Sequence, residues 1–453
     1  MLAPAGKRFT GDDKCEPLRV ALEKHGQMKP RQIAGRLLPM ACVSLEITQR
    51  CNLDCTLCYL SDRAEMAKDV PLPILLGRID MIASHYGTGT SIQISGGDPT
   101  LRKIEDLEAL CQHIRGHGMR SCFMTNGIKA TREMLTRLAR AGLDDVAFHV
   151  DLTQERKGYA TEVELNTIRA DYIERARGLG LRILFNTTVY EGNIGELTAL
   201  AQFFRTRARD IALISFQMQA DTGRGVLRAR DAIVTREAVS EAISNGIGAP
   251  LDFDAVSVGH SECNRYASVL VAGDDVLSPL SNYPLVADTI ATLAKHGERG
   301  GGHLSVASRF RRMLTGAPLL SIRLMAEGLR GLWTMRRGLW QSRGRLGRMS
   351  ILIHNFMDAE NLDRERCESC IFMVATENGP LSMCVHNAER DKHIFTPARI
   401  ETEQGPLWWD AETGDISANR DSDANRDTII PFKRLKGRKR ADAQTLRRTG
   451  ETR

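Results

Sequence analysis

Three cysteines stand close together at positions 51, 55 and 58, inside the stretch EITQRCNLDCTLCYLS. A closed zinc site takes four ligands and a disulfide takes two cysteines, so three thiols by themselves suit neither. Three thiolates on a four-iron cluster leave one iron without a protein ligand, and an open metal position is where chemistry takes place. We therefore interpret Cys51, Cys55 and Cys58 as ligands of a catalytic iron–sulfur cluster. The alternative is a zinc site completed by a distant histidine or cysteine.

Four further cysteines form a second candidate metal site: Cys367 and Cys370 in a C-x2-C pair, Cys384, and Cys263. Four thiolates suit a fully ligated [4Fe-4S] cluster or a structural zinc ion. Cys263 is the most distant of the four along the chain. His260 or His386 is therefore an alternative fourth ligand.

The stretch ISGGDPTLR, residues 94–102, places two adjacent glycines at the end of a predicted strand. Adjacent glycines let a backbone approach a ligand closely, although such a turn also occurs without a ligand. Several later predicted strands end in polar residues. A buried strand should end in apolar residues unless its end faces a polar group. The polar residues at these strand ends are Asn126, Asp151, Asn186 and Gln217. They either face a ligand or serve as helix caps and turn residues.

Strands and helices alternate regularly from about residue 42 to residue 250. Apolar, β-branched runs predict six strands, at 42–48, 91–95, 120–126, 145–151, 181–189 and 210–219. Intervening segments predict helices, one of which has Thr131 as its N-cap and Gly142 as its stop. This alternation predicts a parallel α/β sheet, either an open barrel or a doubly wound fold. Such sheets bind ligands at the carboxyl ends of their strands, which is where the cysteine triplet lies.

Taken together, these motifs resemble the radical S-adenosylmethionine (SAM) superfamily over about residues 40–235. The resemblance implies an α/β fold, a partial (β/α)6 parallel barrel with a C-terminal cysteine-rich auxiliary-cluster extension. It also implies that Cys51, Cys55 and Cys58 bind a [4Fe-4S] cluster whose open iron is chelated by SAM. The family usually has an aromatic residue where Leu57 stands, and we expect Tyr59 to take part of its role in packing against the adenine.

The resemblance further implies a set of cofactor-binding residues. Ser95, Gly96, Gly97, Asp98 and Pro99 lie in the stretch that resembles the family's GGEP motif, which binds the SAM amino group, and Asp98 replaces the usual glutamate. Asn126, Asp151, Asn186 and Gln217 are then expected to contact the ribose, the methionine carboxylate or the substrate. The later four cysteines would hold an auxiliary [4Fe-4S] cluster, and flavodoxin or ferredoxin would donate the electron.

A narrower resemblance covers about residues 350–390 and the turn after the sixth strand. The segments ISFQMQADTGR, IHNFMDAENLDRERCESC and GPLSMCVHN resemble the archaeal tetraether lipid synthase group, also described as pterin-methylating radical SAM proteins. The matching residues are Phe356, Met357, Asp358, Asp363, Cys384 and Asn387. Two features depart from that group: only Cys15 precedes the barrel, and the H-P-x-C segment is reduced to HSEC at 260–263. Fewer clusters are therefore expected, and the substrate need not be the same.

Composition and charge bound the remaining possibilities. The 453-residue chain is 42% apolar and carries a net charge of +6. It has no run of eighteen apolar residues and no signal-peptide core, so we expect a cytoplasmic protein. Residues 303–350 contain ten arginines and one acid beside Trp333 and Trp340, which predicts a basic amphipathic helical insert. We expect it to contact an anionic membrane peripherally, the alternative being an ordinary basic helix. Nucleic acid is not an expected partner.

We predict a leader segment at 1–39, the barrel at 40–250, an auxiliary-cluster domain at 251–400 that contains the basic insert, and a disordered basic tail at 401–453. The predicted function is reductive cleavage of SAM to a 5′-deoxyadenosyl radical that functionalises a C–H bond of a lipid or lipid-like substrate, with C–C bond formation. One alternative is a peptide-maturing radical SAM enzyme. Another is a non-catalytic iron–sulfur or zinc protein that binds a membrane or nucleic acid, but such a protein would not need the Gly-Gly-Asp-Pro motif.

Overall fold

The computed structural model describes residues 13–225, 234–296 and 316–419. The predictions made for residues 1–12, for residues 303–315 of the basic insert and for residues 420–453 of the tail lie outside the described residues.

Six parallel strands form the centre of the largest sheet and follow one another in chain order. They are β1 (Cys42–Thr48), β2 (Ser91–Gly96), β3 (Arg120–Thr125), β4 (Asp145–His149), β5 (Arg182–Val189) and β6 (Ile211–Met218). Each strand begins and ends within two residues of its predicted range. The parallel barrel predicted from the sequence is therefore confirmed.

Helices alternate with these strands and pack their apolar side chains on the sheet. After α1 (Glu16–Lys24) they are α2 (Leu72–Tyr86), α3 (Ile104–Gly116), α4 (Arg132–Ala141), α5 (Asn166–Ala176) and α6 (Leu197–Thr206). The Thr131 side chain accepts a hydrogen bond from the Met134 amide, 3.2 Å away, and Gly142 ends α4 with φ of 111°. Both predicted boundaries of this helix are confirmed.

The C-terminal half extends the same sheet at both of its edges. It contributes β7 (Asn264–Ala272), β8 (Asp275–Leu277), β9 (Gly347–Asn355), β10 (Phe372–Thr376) and β11 (Gly379–Ser382). Strand β10 pairs in parallel with β1, and β9 pairs in parallel with β6. The order of the eleven strands is therefore β11-β10-β1-β2-β3-β4-β5-β6-β9-β7-β8.

Helices of this half are α7 (Arg236–Ile247), α8 (Tyr283–His296), α9 (Pro318–Thr334), α10 (Arg336–Gln341), α11 (Arg364–Glu368), α12 (Met383–Ala388) and α13 (Arg390–Ile394). Helices α9 and α10 fall within the predicted basic helical insert. The last residues of the predicted insert, 347–350, are not helical, because β9 begins at Gly347. Buried Met349, Ile351 and Ile353 alternate with less buried neighbours, which is the two-residue period of a strand. This period determines the structure of the segment that was predicted to be helical.

The predicted disordered tail begins too early. Residues up to 419 are described, and they form a small antiparallel sheet of β12 (Ala398–Ile400), β13 (Leu407–Trp409) and β14 (Ile416–Ser417), in which β13 is the central strand. The physical reason is Trp409, which is buried with Ala398 and Ala411 against Ile74 of α2. This apolar cluster, which Phe395 and Ile400 join, docks the small sheet on α2.

The core lies between the sheet and its helices in two parts. One part packs β1–β3 against α2 and α3, with Leu45, Ile79 and Leu110 at its centre, and the other packs β4–β6 and β9 against α5–α7, with Phe148 and Phe204 among its largest side chains. In the described residues, the helices are too short or too polar to cross a bilayer.

Candidate active site

The cysteine triplet lies in the loop that leaves β1. All three residues line a cavity among the carboxyl ends of the barrel strands. Burial raises the pKa of the Cys51 thiol to about 11 and that of Cys55 well above its ordinary value, with the charge of Cys58 acting in the same direction. Thiols in such a setting stay protonated until a metal ion or cluster displaces the proton.

The spacing of these sulfurs distinguishes a cluster from a single zinc ion. Tetrahedral zinc–thiolate bonds of about 2.3 Å hold ligand sulfurs about 3.8 Å apart. Among the described residues, neither the triplet nor any three of Cys263, Cys367, Cys370 and Cys384 have all their sulfurs within 4.8 Å of one another. A four-iron cluster holds its thiolates farther apart, because each binds a different iron. Both sets of cysteines therefore fit a cluster better than a zinc ion.

Gly96 and Gly97 pack against the backbone of the cysteine loop. A Cβ atom on Gly96 would lie 2.1 Å from the Thr48 carbonyl oxygen, and one on Gly97 would lie 2.0 Å from that of Arg50. The Gly97 amide donates a hydrogen bond to the Thr48 oxygen (2.8 Å), and the Asp98 amide donates one to the Arg50 oxygen (2.8 Å). The two motifs thus hold each other in place, and only glycine fits at either position.

Ser95, Gly96 and Gly97 line the cavity, but the Asp98 side chain points elsewhere. Its carboxylate is buried and accepts hydrogen bonds from Thr100, from the Thr125 hydroxyl (3.0 Å) and from the Asn126 amide (2.8 Å). Asp98 therefore fixes the end of β3. Pro99 is buried in the short turn that follows.

The polar residues at the later strand ends divide into two groups. Asn126 and Gln217 line the cavity, and the Asn126 side-chain amide donates to the Asn52 side chain (2.6 Å). Asp151 and Asn186 are buried outside the lining. Asn186 donates to the Met124 sulfur (3.2 Å), while Asp151 lies 2.6 Å from the His149 imidazole. Asp151 and Asn186 thus support the site from behind.

His149 lines the cavity, although the sequence did not single it out. Burial lowers the pKa of its imidazole, but the adjoining Asp151 carboxylate raises it more, and the net direction is upward. Asp151 in turn accepts from the Thr188 amide (2.8 Å), so both groups are held in place. The sequence FHVD, which places a histidine two residues before an acid at a strand end, was the available signal.

A buried ion pair that the sequence did not reveal completes one wall. The Arg390 guanidinium donates to both carboxylate oxygens of Glu46 on β1 (2.8 and 2.7 Å). It also lies 4.5 Å from the centre of the Tyr59 ring, whose hydroxyl donates to the Gly96 carbonyl (2.5 Å). Burial raises the pKa of Glu46, but the charges of Arg390 and His386 and the hydrogen bonds from Arg390 and Gln49 together outweigh burial and hold that pKa at about 2. The C-terminal segment is thereby tied to the cysteine loop.

The turn after β6 packs on the other side of the cysteine loop. Gly223 has φ of +61°, and a Cβ on it would lie 2.3 Å from the Tyr59 carbonyl carbon. The Arg224 amide donates to the Leu60 oxygen (2.7 Å). The Arg224 side chain is buried, and the facing Cys58 sulfur raises its pKa against the effect of burial. Arg224 therefore supports a cluster thiolate.

The second set of cysteines also converges in space. The Cys384 thiol at the start of α12 interacts electrostatically with Cys263, Cys367 and Cys370, and burial raises its pKa to about 12. The Arg366 guanidinium donates to the Cys263 sulfur (3.3 Å). The distant Cys263 thus joins the other three.

The two histidines considered as alternative ligands have other partners in the structure. His386 lies beside Glu46, and burial lowers its pKa to about 3. His260 is a neighbour of the site, but its Nδ1 accepts the Glu262 amide (3.2 Å).

Helix α12 separates the two cysteine sites. Met383 lines the cavity, the next residue is Cys384, and Asn387 one turn later lines the cavity again. The second site therefore lies directly behind one wall of the cavity.

The cavity itself has an empty volume of about 1330 Å³, including its open mouth. Much of its lining is apolar, namely Leu53, Leu57, Leu60, Met124, Met218, Phe356, Val374 and Met383. Among the described lining residues, Arg390 supplies the fixed positive charge, and Glu46 neutralises it. The arrangement can therefore hold a largely apolar molecule beside a cluster.

The parallel barrel carries three cysteines in its first loop beside a glycine pair. Residues 45–204 match the family model for the Radical SAM superfamily. Proteins of this superfamily use a [4Fe-4S] cluster together with SAM. The donor set fits that group, since three thiols and a glycine-lined approach meet at one cavity.

Three relatives illustrate the similarity. Fe-coproporphyrin III synthase of Methanosarcina barkeri is 31% identical over 191 residues, 40% of this chain and 44% of the relative. A probable GTP 3′,8-cyclase of Thermococcus kodakarensis is 29% identical over 40% of this chain and 58% of the relative. The PqqA peptide cyclase of Bradyrhizobium diazoefficiens is 31% identical over 36% of this chain and 43% of the relative. The chain spans about half the length of these relatives. They support the superfamily, and the narrower resemblance to tetraether lipid synthases stays a prediction.

Proposed function

We propose that this protein is a radical SAM enzyme that functionalises an unactivated C–H bond. The observation that carries the proposal is the meeting of three cysteine thiols and the Gly96–Gly97 backbone at one cavity. When bound, the cluster and SAM supply a 5′-deoxyadenosyl radical that abstracts hydrogen from the substrate. A protein that only carried a cluster would not need a cavity beside it or a glycine pair packed on its cysteine loop.

The chain's own residues would hold the cluster, orient SAM and shield the reaction from water. Cys51, Cys55 and Cys58 would hold the cluster, and Ser95, Gly96 and Gly97, which line the same cavity, would contact SAM. Apolar side chains such as Leu57 and Met218 exclude water, which would otherwise compete in a reaction of this kind.

The second cysteine set would hold an auxiliary [4Fe-4S] cluster. Cys263, Cys367, Cys370 and Cys384 would supply one thiol for each iron, which would leave no open iron for a substrate. This supports a role in electron transfer, with flavodoxin or ferredoxin as the external donor.

For the substrate we propose a lipid or lipid-like molecule that gains a C–C bond, as the narrower resemblance implies. The apolar lining supports this choice. A nucleoside triphosphate is disfavoured, because Arg390 is already neutralised by Glu46. The second candidate is a peptide substrate, favoured by the relative named PqqA peptide cyclase.

Uncoupled SAM cleavage tests the activity. We expect anaerobically reconstituted protein to bind about eight irons, as two four-iron clusters, and to release 5′-deoxyadenosine with dithionite. Cys55→Ala should lose about four irons and all 5′-deoxyadenosine, since one thiolate of the open cluster is gone. Cys111→Ala is the matched control, because Cys111 is a buried thiol in the apolar core. Normal 5′-deoxyadenosine release by Cys55→Ala would refute the proposal.

A further inference from the structure

Helices α9 and α10 expose an unusual amount of apolar surface. Seven large apolar side chains on them are between 45% and 87% exposed: Leu319, Ile322, Met325, Leu329, Leu332, Trp333 and Trp340. A surface helix normally turns its apolar stripe toward the core. Here Leu320 and Ser321 face inward, and α9 packs on α8 with this other face. The outward apolar stripe therefore needs a separate explanation.

Positive charge lies on the same two helices. Residues 318–341 contain four arginines, at 323, 330, 336 and 337, and one acid, Glu327. Glu327 already accepts from Asn282 and Arg330 (both 3.4 Å). The Arg336 guanidinium lies 4.7 Å from the Trp333 ring centre. The surface thus combines aliphatic, tryptophan and arginine side chains.

This combination restricts what can cover the surface. A second copy of the chain would bring the arginines of both copies together, with one acid each to offset them. The chain's own residues 297–315 and 420–453 contain more basic than acidic residues, so the same repulsion applies. Nucleic acid would use the arginines but would leave the exposed Leu and Ile side chains in water. A partner that is both anionic and apolar remains.

We propose that α9 and α10 form a membrane-docking surface that lies in the interface of an anionic bilayer. Leu319, Ile322, Leu329 and the two tryptophans would enter the boundary between headgroups and acyl chains. Arg330, Arg336 and Arg337 would contact the anionic headgroups, whereas Arg323 is paired with Asp288 of α8 (2.6 Å). The contact is peripheral and does not depend on the function proposed for the cavity.

The α10 end of the docking surface lies away from the cavity mouth. The Gly338 amide in α10 donates to the Asp275 carboxylate (2.6 Å) at the start of β8, next to the β7–β8 turn. This turn lies beside Gly347, the first residue of β9, which runs parallel to the barrel strands. It is therefore at their amino-terminal end, whereas the cavity lies among their carboxyl ends. The inference concerns attachment of the protein to a membrane and not delivery of a lipid into the cavity.

Vesicle flotation tests the proposal with the full-length, anaerobically reconstituted protein. We expect about fivefold or more protein to float with phosphatidylcholine vesicles that contain about 30% phosphatidylserine than with pure phosphatidylcholine, and salt of about 0.5 M to reduce this binding. The triple variant Leu329→Ser, Trp333→Ser, Trp340→Ser and the triple variant Arg330→Gln, Arg336→Gln, Arg337→Gln should each reduce it about fivefold or more. All six side chains are exposed, so the fold should survive.

The matched control replaces exposed apolar side chains elsewhere. Val20, Val163 and Ile416 are 54%, 46% and 52% exposed, and their serine variants should float like the unaltered protein. Absent flotation, equal flotation with neutral vesicles, or flotation unchanged in both test variants would overturn the proposal. So would a dimer that the leucine–tryptophan variant dissociates in the absence of vesicle binding, since a second copy would then cover the surface. Uncoupled SAM cleavage by the same variants should be unchanged.

Discussion

At the scale of single residues, the Glu46–Arg390 pair has the clearest energetic consequence. Both side chains are buried at the cavity wall, and each is the other's main charged partner. A buried pair is not by itself strongly stabilising, but removing one partner leaves an uncompensated charge. The pair therefore makes the barrel depend on a residue near the far end of the chain.

Arg390→Met should destabilise the protein by about 3–5 kcal/mol at pH 8, because it strands the Glu46 carboxylate in a buried site. Urea denaturation followed by circular dichroism measures this. The loss should be smaller at pH 6, since an unpaired buried carboxyl gains a proton readily. Arg399→Met is the control, because Arg399 pairs with Glu401 at the surface, where such pairs contribute about 0–1 kcal/mol. A loss for Arg390→Met no larger than the control's would contradict this account.

In the unaltered protein, the stability that the Glu46–Arg390 pair contributes decreases as the pH falls. The folded-state pKa of Glu46 is depressed to about 2, below its ordinary value of 4.5. The stability that it contributes is therefore fully present above about pH 4.5 and is lost as the pH falls toward 2.

At the scale of elements, α11 and α12 place three of the four cysteines of the second site. Cys367 lies in α11, Cys370 follows it, and Cys384 lies in the first turn of α12, while Cys263 directly precedes β7. Two short helices and one strand end thus meet behind the cavity wall. Loss of one thiol should affect this site and leave the loop after β1 intact.

Cys384→Ala should lower the iron content by about four atoms per chain and leave the spectral change on SAM addition in place. Iron assay and electron paramagnetic resonance measure the two effects. Cys122→Ala serves as the control, since Cys122 is a buried thiol of β3. Unchanged iron with about one zinc ion per chain would show instead that the second site is a structural zinc site.

At the scale of the whole molecule, the C-terminal half joins the barrel at both edges. Strand β10 continues the sheet beyond β1, and β9 continues it beyond β6, so the segment between them lies across the open side of the barrel. This connection brings the second cysteine site, Phe356, Met383 and Arg390 to the cavity. The cavity is therefore lined by residues from both halves of the chain.

The apolar lining predicts that a lipid extract, and not a peptide, changes in the presence of protein, SAM and reductant. Mass spectrometry of the anaerobic reaction should detect a lipid product in amounts that follow 5′-deoxyadenosine. Cys55→Ala should give none. A modified peptide together with an unchanged lipid fraction would favour the peptide candidate and leave the SAM-cleaving activity untouched.

The sequence by itself determined the features that depend on local spacing. Apolar, β-branched runs located all six barrel strands, Thr131 and Gly142 bounded α4, and the cysteine triplet with its following glycine pair indicated the cofactor. Local patterns suffice here because strand burial, helix capping and loop ligands each involve residues close together in the chain.

Tertiary structure decided what depends on residues far apart in the chain. It paired Glu46 with Arg390 across 344 positions, turned the Asp98 carboxylate away from the cavity, and brought Cys263 to Cys384. It also left the apolar stripe of α9 outward, which its helical period alone does not reveal. The physical reason is common to all four: the partner or the covering surface of a side chain is set by how the sheet is ordered, and the sequence near that side chain carries no record of it.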